Sequence, residues 1–202
     1  MMNFNSETIA VIGGAGLLGT AIVEELVAFN ASPLILDIDS NKGKLLEKKI
    51  VEGGGRATFY EADFSIVENI PITIRDIIEK FGNIQGWALA SYPRTRDWGD
   101  KLEDVKSESW NINVEMQMNS TCLCAAEIAK GMATNSGGSI VTIGSIYGSI
   151  APNFDIYDGT DMTTPAAYSA IKGGVSTFTK YLSSYYGLKK VRVNNIVAGG
   201  IF

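Results

Sequence analysis

Apolar residues follow two rhythms along this chain. Short runs rich in β-branched residues stand at 8–12 (TIAVI), 33–37 (PLILD), 56–63, 84–90 (IQGWALA), 138–145 (GSIVTIGS) and 191–197. Between them lie longer stretches whose apolar positions recur every three or four residues, at 17–29, up to about 52, and at 66–81, 107–134 and 165–187. The first rhythm predicts strands and the second predicts helices. The strand runs are apolar at successive positions, the pattern of strands covered on both faces in a parallel sheet. Strict alternation of strand and helix, with right-handed crossovers, predicts a doubly wound parallel α/β sheet. No internal linker or repeat interrupts residues 1–202, so one domain is expected. Gly53–Gly54–Gly55 predicts a helix stop, and Thr164 with Pro165 predicts an N-cap and first helical position for the last helix.

Composition narrows the function classes. Apolar residues make up 46% of 202 residues, enough for a full core, and the formal net charge is −5. That sign opposes binding to nucleic acid or to an anionic membrane surface. No stretch approaches the ~20 apolar residues of a membrane span, and the N-terminus lacks the basic and apolar regions of a signal peptide. Cys122 and Cys124 are two apart and do not face each other on a helix, so neither a disulfide nor a metal clamp is expected. They read as reduced core thiols of a cytoplasmic protein. The chain contains no histidine, so any proton transfer near neutral pH must use another group.

The first strand runs into VIGGAGLLGTAIVEEL, with Gly13, Gly16 and Gly19 spaced G-x-x-G-x-x-G. In the order strand, loop, helix, such glycines permit a tight turn and a close approach of backbone to a pyrophosphate, and the helix N-terminus offers free N–H groups to the anion. The loop predicts dinucleotide binding, with Gly13, Gly16, Leu17, Leu18 and Gly19 as the contact segment. Asp37 ends the second strand, 18 residues after Gly19. A carboxylate there accepts from the adenosine ribose hydroxyls and repels a 2′-phosphate, and no Arg or Lys follows at 38–41. NAD is therefore expected rather than NADP. Asp63, at the end of the third strand, is a candidate for the adenine edge.

AAYSAIKGG at 166–174 sets Tyr168 and Lys172 one helical turn apart, on one face. With the glycine loop and GSIYG at 144–148, these residues make the chain resemble the short-chain dehydrogenase/reductase family along residues 8–202, most closely bacterial members linked to surface-sugar and flagellin modification. The resemblance implies a Rossmann fold and an oxidoreductase moving hydride between nicotinamide and a carbonyl or hydroxyl carbon of a small molecule. It implies Tyr168 as general acid/base and Ser145 as the group orienting the substrate oxygen. Lys172 then holds the nicotinamide ribose and lowers the tyrosine's proton affinity by its charge. The family's catalytic asparagine falls on Gln117 when counted from Trp110, or on Asn113 or Asn119 if the register slips. Ala90, Gly199 and Ile201 complete the implied cofactor contacts.

The chain also departs from the family pattern. Ile12 replaces the threonine before the first glycine, Leu89–Ala90–Ser91–Tyr92 replaces N-N-A-G, and Ala198–Gly199 replaces P-G. Between Ser145 and Tyr168 lie 22 residues, IYGSIAPNFDIYDGTDMTTPAA, expected as a lid or a wall of the substrate pocket. In YPRTRDW, Arg94 and Arg96 are candidates to grip a phosphate or carboxylate, or else belong to a solvated loop. The sequence stops where the family continues into a substrate loop and a further strand, so a missing C-terminal part is expected. Two alternatives stay open. One is a dinucleotide-binding sensor or scaffold with little catalysis, and the other is a nucleotide-sugar epimerase or dehydratase. The last two long helices carry more apolar positions than one buried stripe requires, including Phe178, Tyr181 and Tyr185. A homodimer or homotetramer is expected from that excess.

Overall fold

The computed structural model describes residues 3–160 and 163–200. Six strands form one sheet: β1 Thr8–Ile12, β2 Ser32–Asp37, β3 Thr58–Glu61, β4 Gly86–Leu89, β5 Gly138–Ser145 and β6 Val191–Ala198. All pairs are parallel, in the order β3-β2-β1-β4-β5-β6. The expected doubly wound sheet is therefore present. The chain leaves β3 at one edge and re-enters beside β1, so the winding reverses between β1 and β4. In such sheets a ligand crevice opens at that reversal, outside the carboxyl ends of the strands.

Side-chain alternation along the strands divides the core. Val11 and Ile35 pack with Val23 of α1 (Leu17–Ala28) and with Leu46 and Ile50 of α2 (Ser40–Glu52). Ala10, Ile12, Leu34 and Leu36 face the other way, onto α3 (Ile70–Phe81), α5 (Ser120–Thr134) and Leu182 of α6 (Ala166–Tyr186). On α3 the isoleucines at 70, 74 and 77 recur at helical spacing and are 0%, 2% and 0% exposed. Truncating one of them to alanine would cost ~2–5 kcal/mol. Cys124 is buried and Cys122 half-buried, both as free thiols. Burial pushes them up to about 12 and about 11.

Three local expectations change. The helix over 107–134 is not uniform: α4 (Ser107–Asn113) passes into a π-helical turn at Val114–Asn119 before α5 begins. Thr164 does not cap α6, because its hydroxyl bonds the Tyr157 hydroxyl at 2.9 Å, and Pro165 itself takes the cap position. The third strand is shorter than 56–63, since Arg56 is engaged by Ser6, Asn30 and Ser32, and Asp63 turns the chain onto Ser65.

Candidate active site

The glycine loop lies where β1 meets α1. Gly13 has φ +75°, and a β-carbon on it would lie 2.6 Å from the Ser91 backbone. A β-carbon on Gly19 would sit 2.0 Å from the Gly13 carbonyl oxygen. Gly19 therefore seats the helix against the loop, and unlike Gly13, Gly16, Leu17 and Leu18 it does not line the adjoining cleft. The α1 N-terminus has no side-chain cap, whereas α2 is capped by Asp39, which accepts from the Lys42 N–H at 3.0 Å. Uncapped N–H groups at α1 are thus left for an anion.

A cleft of about 800 Å³ runs from this loop across the carboxyl ends of the strands. At one end it is walled by Asp37, Ile38, Lys42 and the segment Ala62–Ser65, and at the other by Ser91–Arg94, Ile143, Gly144, Tyr168, Lys172 and Ala198. Asp37 is not a free carboxylate. One oxygen accepts the Ala15 N–H and the other the Asp39 N–H, both at 3.0 Å, so it braces the glycine loop while keeping lone pairs for a ligand. Lys42 reaches the same wall from the first turn of α2, paired with Asp39 at 2.8 Å. A search for a cation limited to 38–41 misses it by one residue. Asp63 lines the cleft and accepts both the N–H and O–H of Ser65, at 2.8 and 2.7 Å. Ala90 and Gly199 also line the cleft, and Ile201 lies outside the described residues.

At the far end Tyr168 and Lys172 project from one face of α6. The Lys172 ammonium donates to the Ile143 carbonyl at 2.9 Å, one residue past the last β4–β5 pairing. Burial pulls its pKa down from 10.5 to about 8. Tyr92 and Trp98 arrive from the loop after β4. The ring of Tyr168 is edge-on to both, at 6.1 and 6.4 Å between centroids, and the Trp98 indole N–H donates to the Tyr92 hydroxyl at 2.8 Å. The Lys172 ammonium is 5.5 Å from the Tyr92 ring and 5.7 Å from that of Tyr168. Burial raises the Tyr92 pKa, which keeps it a neutral phenol. Sequence reasoning missed this aromatic box. The available signal was a tyrosine standing where the family pattern has a small residue.

Two expected groups stand back from the cleft wall. Ser145 ends β5 as expected but is 4% exposed, and its hydroxyl oxygen accepts the Tyr147 N–H at 3.2 Å. Gln117 is 4% exposed within the π-helical turn. Its amide donates to Asn113 Oδ1 at 3.3 Å, and its Oε1 has no partner among the described residues. The turn rotates the neighbours Met116 and Ser120 to the wall instead. Asn113 holds the loop after β4, accepting from the Thr95 N–H at 3.2 Å and donating to the Thr95 hydroxyl at 2.7 Å. None of the described residues of the insertion after Ser145 lines this cleft, although its Gly148 lies against the Lys172 backbone.

A glycine loop feeding an uncapped helix, a reversal-point cleft and a Tyr/Lys pair on its far wall define a class. The pattern of the short chain dehydrogenase family matches residues 7–202, and the chain belongs to that family. It is an NAD(P)-dependent dehydrogenase/reductase acting on CH–OH or C=O groups. Among relatives, post-translational flagellin modification protein A of Campylobacter coli is 26% identical over 198 residues, covering 97% of this chain and 77% of that one. The 2,5-dichloro-2,5-cyclohexadiene-1,4-diol dehydrogenase of Sphingobium indicum is 27% identical over 203 residues, covering 100% of this chain and 75% of that one. A gluconate 5-dehydrogenase from Burkholderia cenocepacia, solved with NADP and tartrate, superposes with a TM-score of 0.82 at 19% identity, covering 98% of this chain and 72% of that one. A short-chain type dehydrogenase/reductase from Mycobacterium ulcerans gives 0.83 at 23%, covering 98% and 69%. Among the described residues no helix is long and apolar enough to cross a membrane.

Proposed function

We propose that this chain is an NAD-preferring oxidoreductase acting on a small, sugar-derived alcohol or ketone, with Tyr168 as its general acid/base. The observation that carries the reading is the convergence of Tyr168 and Lys172 on the wall of the same cleft that begins at the glycine loop. The residues present fit a dinucleotide. Gly13 and Gly16 line the cleft with bare backbone, the α1 N-terminus is free for the pyrophosphate, and Asp37 keeps acceptor capacity for the ribose. Bound there, the nicotinamide ring supplies or accepts the hydride.

The protein's own groups handle the proton. The Tyr168 hydroxyl gives it to, or takes it from, the substrate oxygen. Lys172 is still mostly protonated at pH 7, given a pKa of about 8. Its ammonium lies 5.7 Å from the Tyr168 ring, and its remaining N–H groups hold the ribose. The Ser145 hydroxyl, set back behind the wall, accepts from the Tyr147 N–H and keeps its hydrogen for a substrate oxygen that reaches past the wall. The ring of Tyr92, edge-on to Tyr168, flanks the reacting end. A purified enzyme is screened against sugars and polyols with NAD, and Tyr168→Phe is measured on the best substrate. Turnover should fall ~10²–10⁴-fold while the NADH dissociation constant barely moves. Turnover within a few-fold of the parent removes Tyr168 from this role.

A second reading, a dinucleotide-binding sensor with little catalysis, draws on the withdrawal of Gln117 and Ser145 from the wall. It predicts tight NADH binding with no turnover on any substrate. A cytoplasmic homodimer or homotetramer completes the proposal. Tyr181 and Tyr185 on α6 are 58% and 62% exposed, stacked at 6.0 Å, with Leu123 of α5 44% exposed. A monomer mass in light scattering at micromolar concentration overturns the assembly.

A further inference from the structure

Arg94 stands out among the groups that the proton chemistry does not use. It lines the same cleft as Tyr168 and lies against the ring of Tyr92. Its guanidinium carbon lies 5.8 Å from the centroid of the Tyr92 ring, and that ring is 6.1 Å from the ring of Tyr168. None of the ion pairs among the described residues involves Arg94. The nearest acid in sequence, Asp97, is occupied elsewhere: its carboxylate accepts from the Ser109 hydroxyl, and that bond first, then one from Thr95, holds its pKa below the usual range.

The loop presenting Arg94 is tied down. Thr95 is held on both sides by Asn113, its hydroxyl lies 3.0 Å from that of Ser109, and the Trp98 indole fixes the hydroxyl of the ring next to the guanidinium. An arginine resting on an aromatic ring keeps its N–H edge free, and that edge matches two oxygens of a carboxylate or phosphate at once. Arg96, two residues on, does not line the cleft. In a chain of net charge −5, an exposed arginine with no ion pair among the described residues that lines this cleft is placed to recognise an anion.

We infer that Arg94 forms an anion subsite, and that the substrate carries a carboxylate or phosphoryl group in addition to the carbinol or ketone. The substrate class rests on the dehydrogenase reading of the cleft, whereas the subsite itself is tested without turnover. The protein saturated with NAD is titrated with inorganic phosphate and, separately, with acetate, at ionic strength held constant with sodium chloride. Tryptophan fluorescence is the readout, since Trp98 bonds to Tyr92. The parent should show saturable binding of at least one anion. Arg94→Gln should weaken it ~10- to 100-fold, the loss of a charge-assisted contact, and Arg96→Gln should leave it unchanged. A response to phosphate alone assigns a phosphoryl group, to acetate alone a carboxylate, and to both the shared oxyanion chemistry. No response beyond the chloride control, or an Arg94→Gln titration like that of the parent, overturns the subsite. The NAD-free protein is titrated in parallel. Failure to take up NAD then strikes the dehydrogenase reading, while the Arg94 comparison still decides the subsite.

Discussion

Replacing Lys172 by methionine should make the cofactor-free protein more stable and far less active. In the folded protein the ammonium is held against the Ile143 carbonyl at 2.9 Å, in a wall where burial pulls its pKa from 10.5 to about 8. At ~1.4 kcal/mol per tenfold change in proton affinity, that drop corresponds to ~3 kcal/mol of destabilisation. Losing the hydrogen bond to the carbonyl returns ~1–2 kcal/mol of it. Ile143 lines the cleft, so water can then satisfy its oxygen. Lys172→Met should thus gain ~1–2 kcal/mol at pH 7, a rise of ~3–6 °C in Tm for a chain of this size. The pH dependence identifies the cause. Between about 8 and 10.5 the unfolded chain binds more protons at this position than the folded one, so parent stability rises with pH across that window. The advantage of the variant is full below pH 8 and fades towards pH 10.5. Thermal unfolding followed by circular dichroism at pH 6.5, 7.5, 9 and 10.5 measures this directly. A variant that melts lower at pH 7, or a difference that does not change with pH, refutes the argument. Turnover should fall by ~10² or more whatever the stability, because the charge beside Tyr168 is gone.

Three further outcomes are expected. Gly13→Ala forces φ +75° on an alanine and drives its β-carbon to 2.6 Å from the Ser91 backbone. NADH affinity should drop at least ~10-fold by fluorescence titration with a stability loss of ~1–3 kcal/mol, and unchanged binding would mean the loop has no tight approach to the nucleotide. Asp37→Asn keeps an acceptor for the Ala15 N–H but removes the charge, so the preference for NADH over NADPH should narrow ~10-fold as the repulsion of a 2′-phosphate is lost. Equal preference in parent and variant would dismiss Asp37 as the discriminator. Cys122 and Cys124, pushed up to about 11 and about 12, should resist iodoacetamide at pH 8 until the chain unfolds. Rapid labelling of the native protein at both thiols would contradict their burial.

The sequence determined most of the scaffold. Strand and helix ranges follow from short-range periodicity, and β1, α2, β5 and α6 fall within a residue or so of the pattern. Gly13–Gly19 and the Tyr168/Lys172 spacing were legible because each is a local arrangement whose geometry one turn or one helix dictates. What the tertiary structure alone decided are meetings between distant segments. Tyr92 and Trp98 reach Tyr168 because β4 lies beside β5 and the loop after it is pinned to Asn113. Lys42 reaches the wall near Asp37 because Asp39 caps α2 there. A π-helical turn, invisible to a 3.6-residue count, rotates Gln117 into the core and brings Met116 and Ser120 to the cleft. The insertion after Ser145 brings Gly148 against the Lys172 backbone for a like reason. A loop's path depends on what it packs against, and no local pattern of residues carries that information.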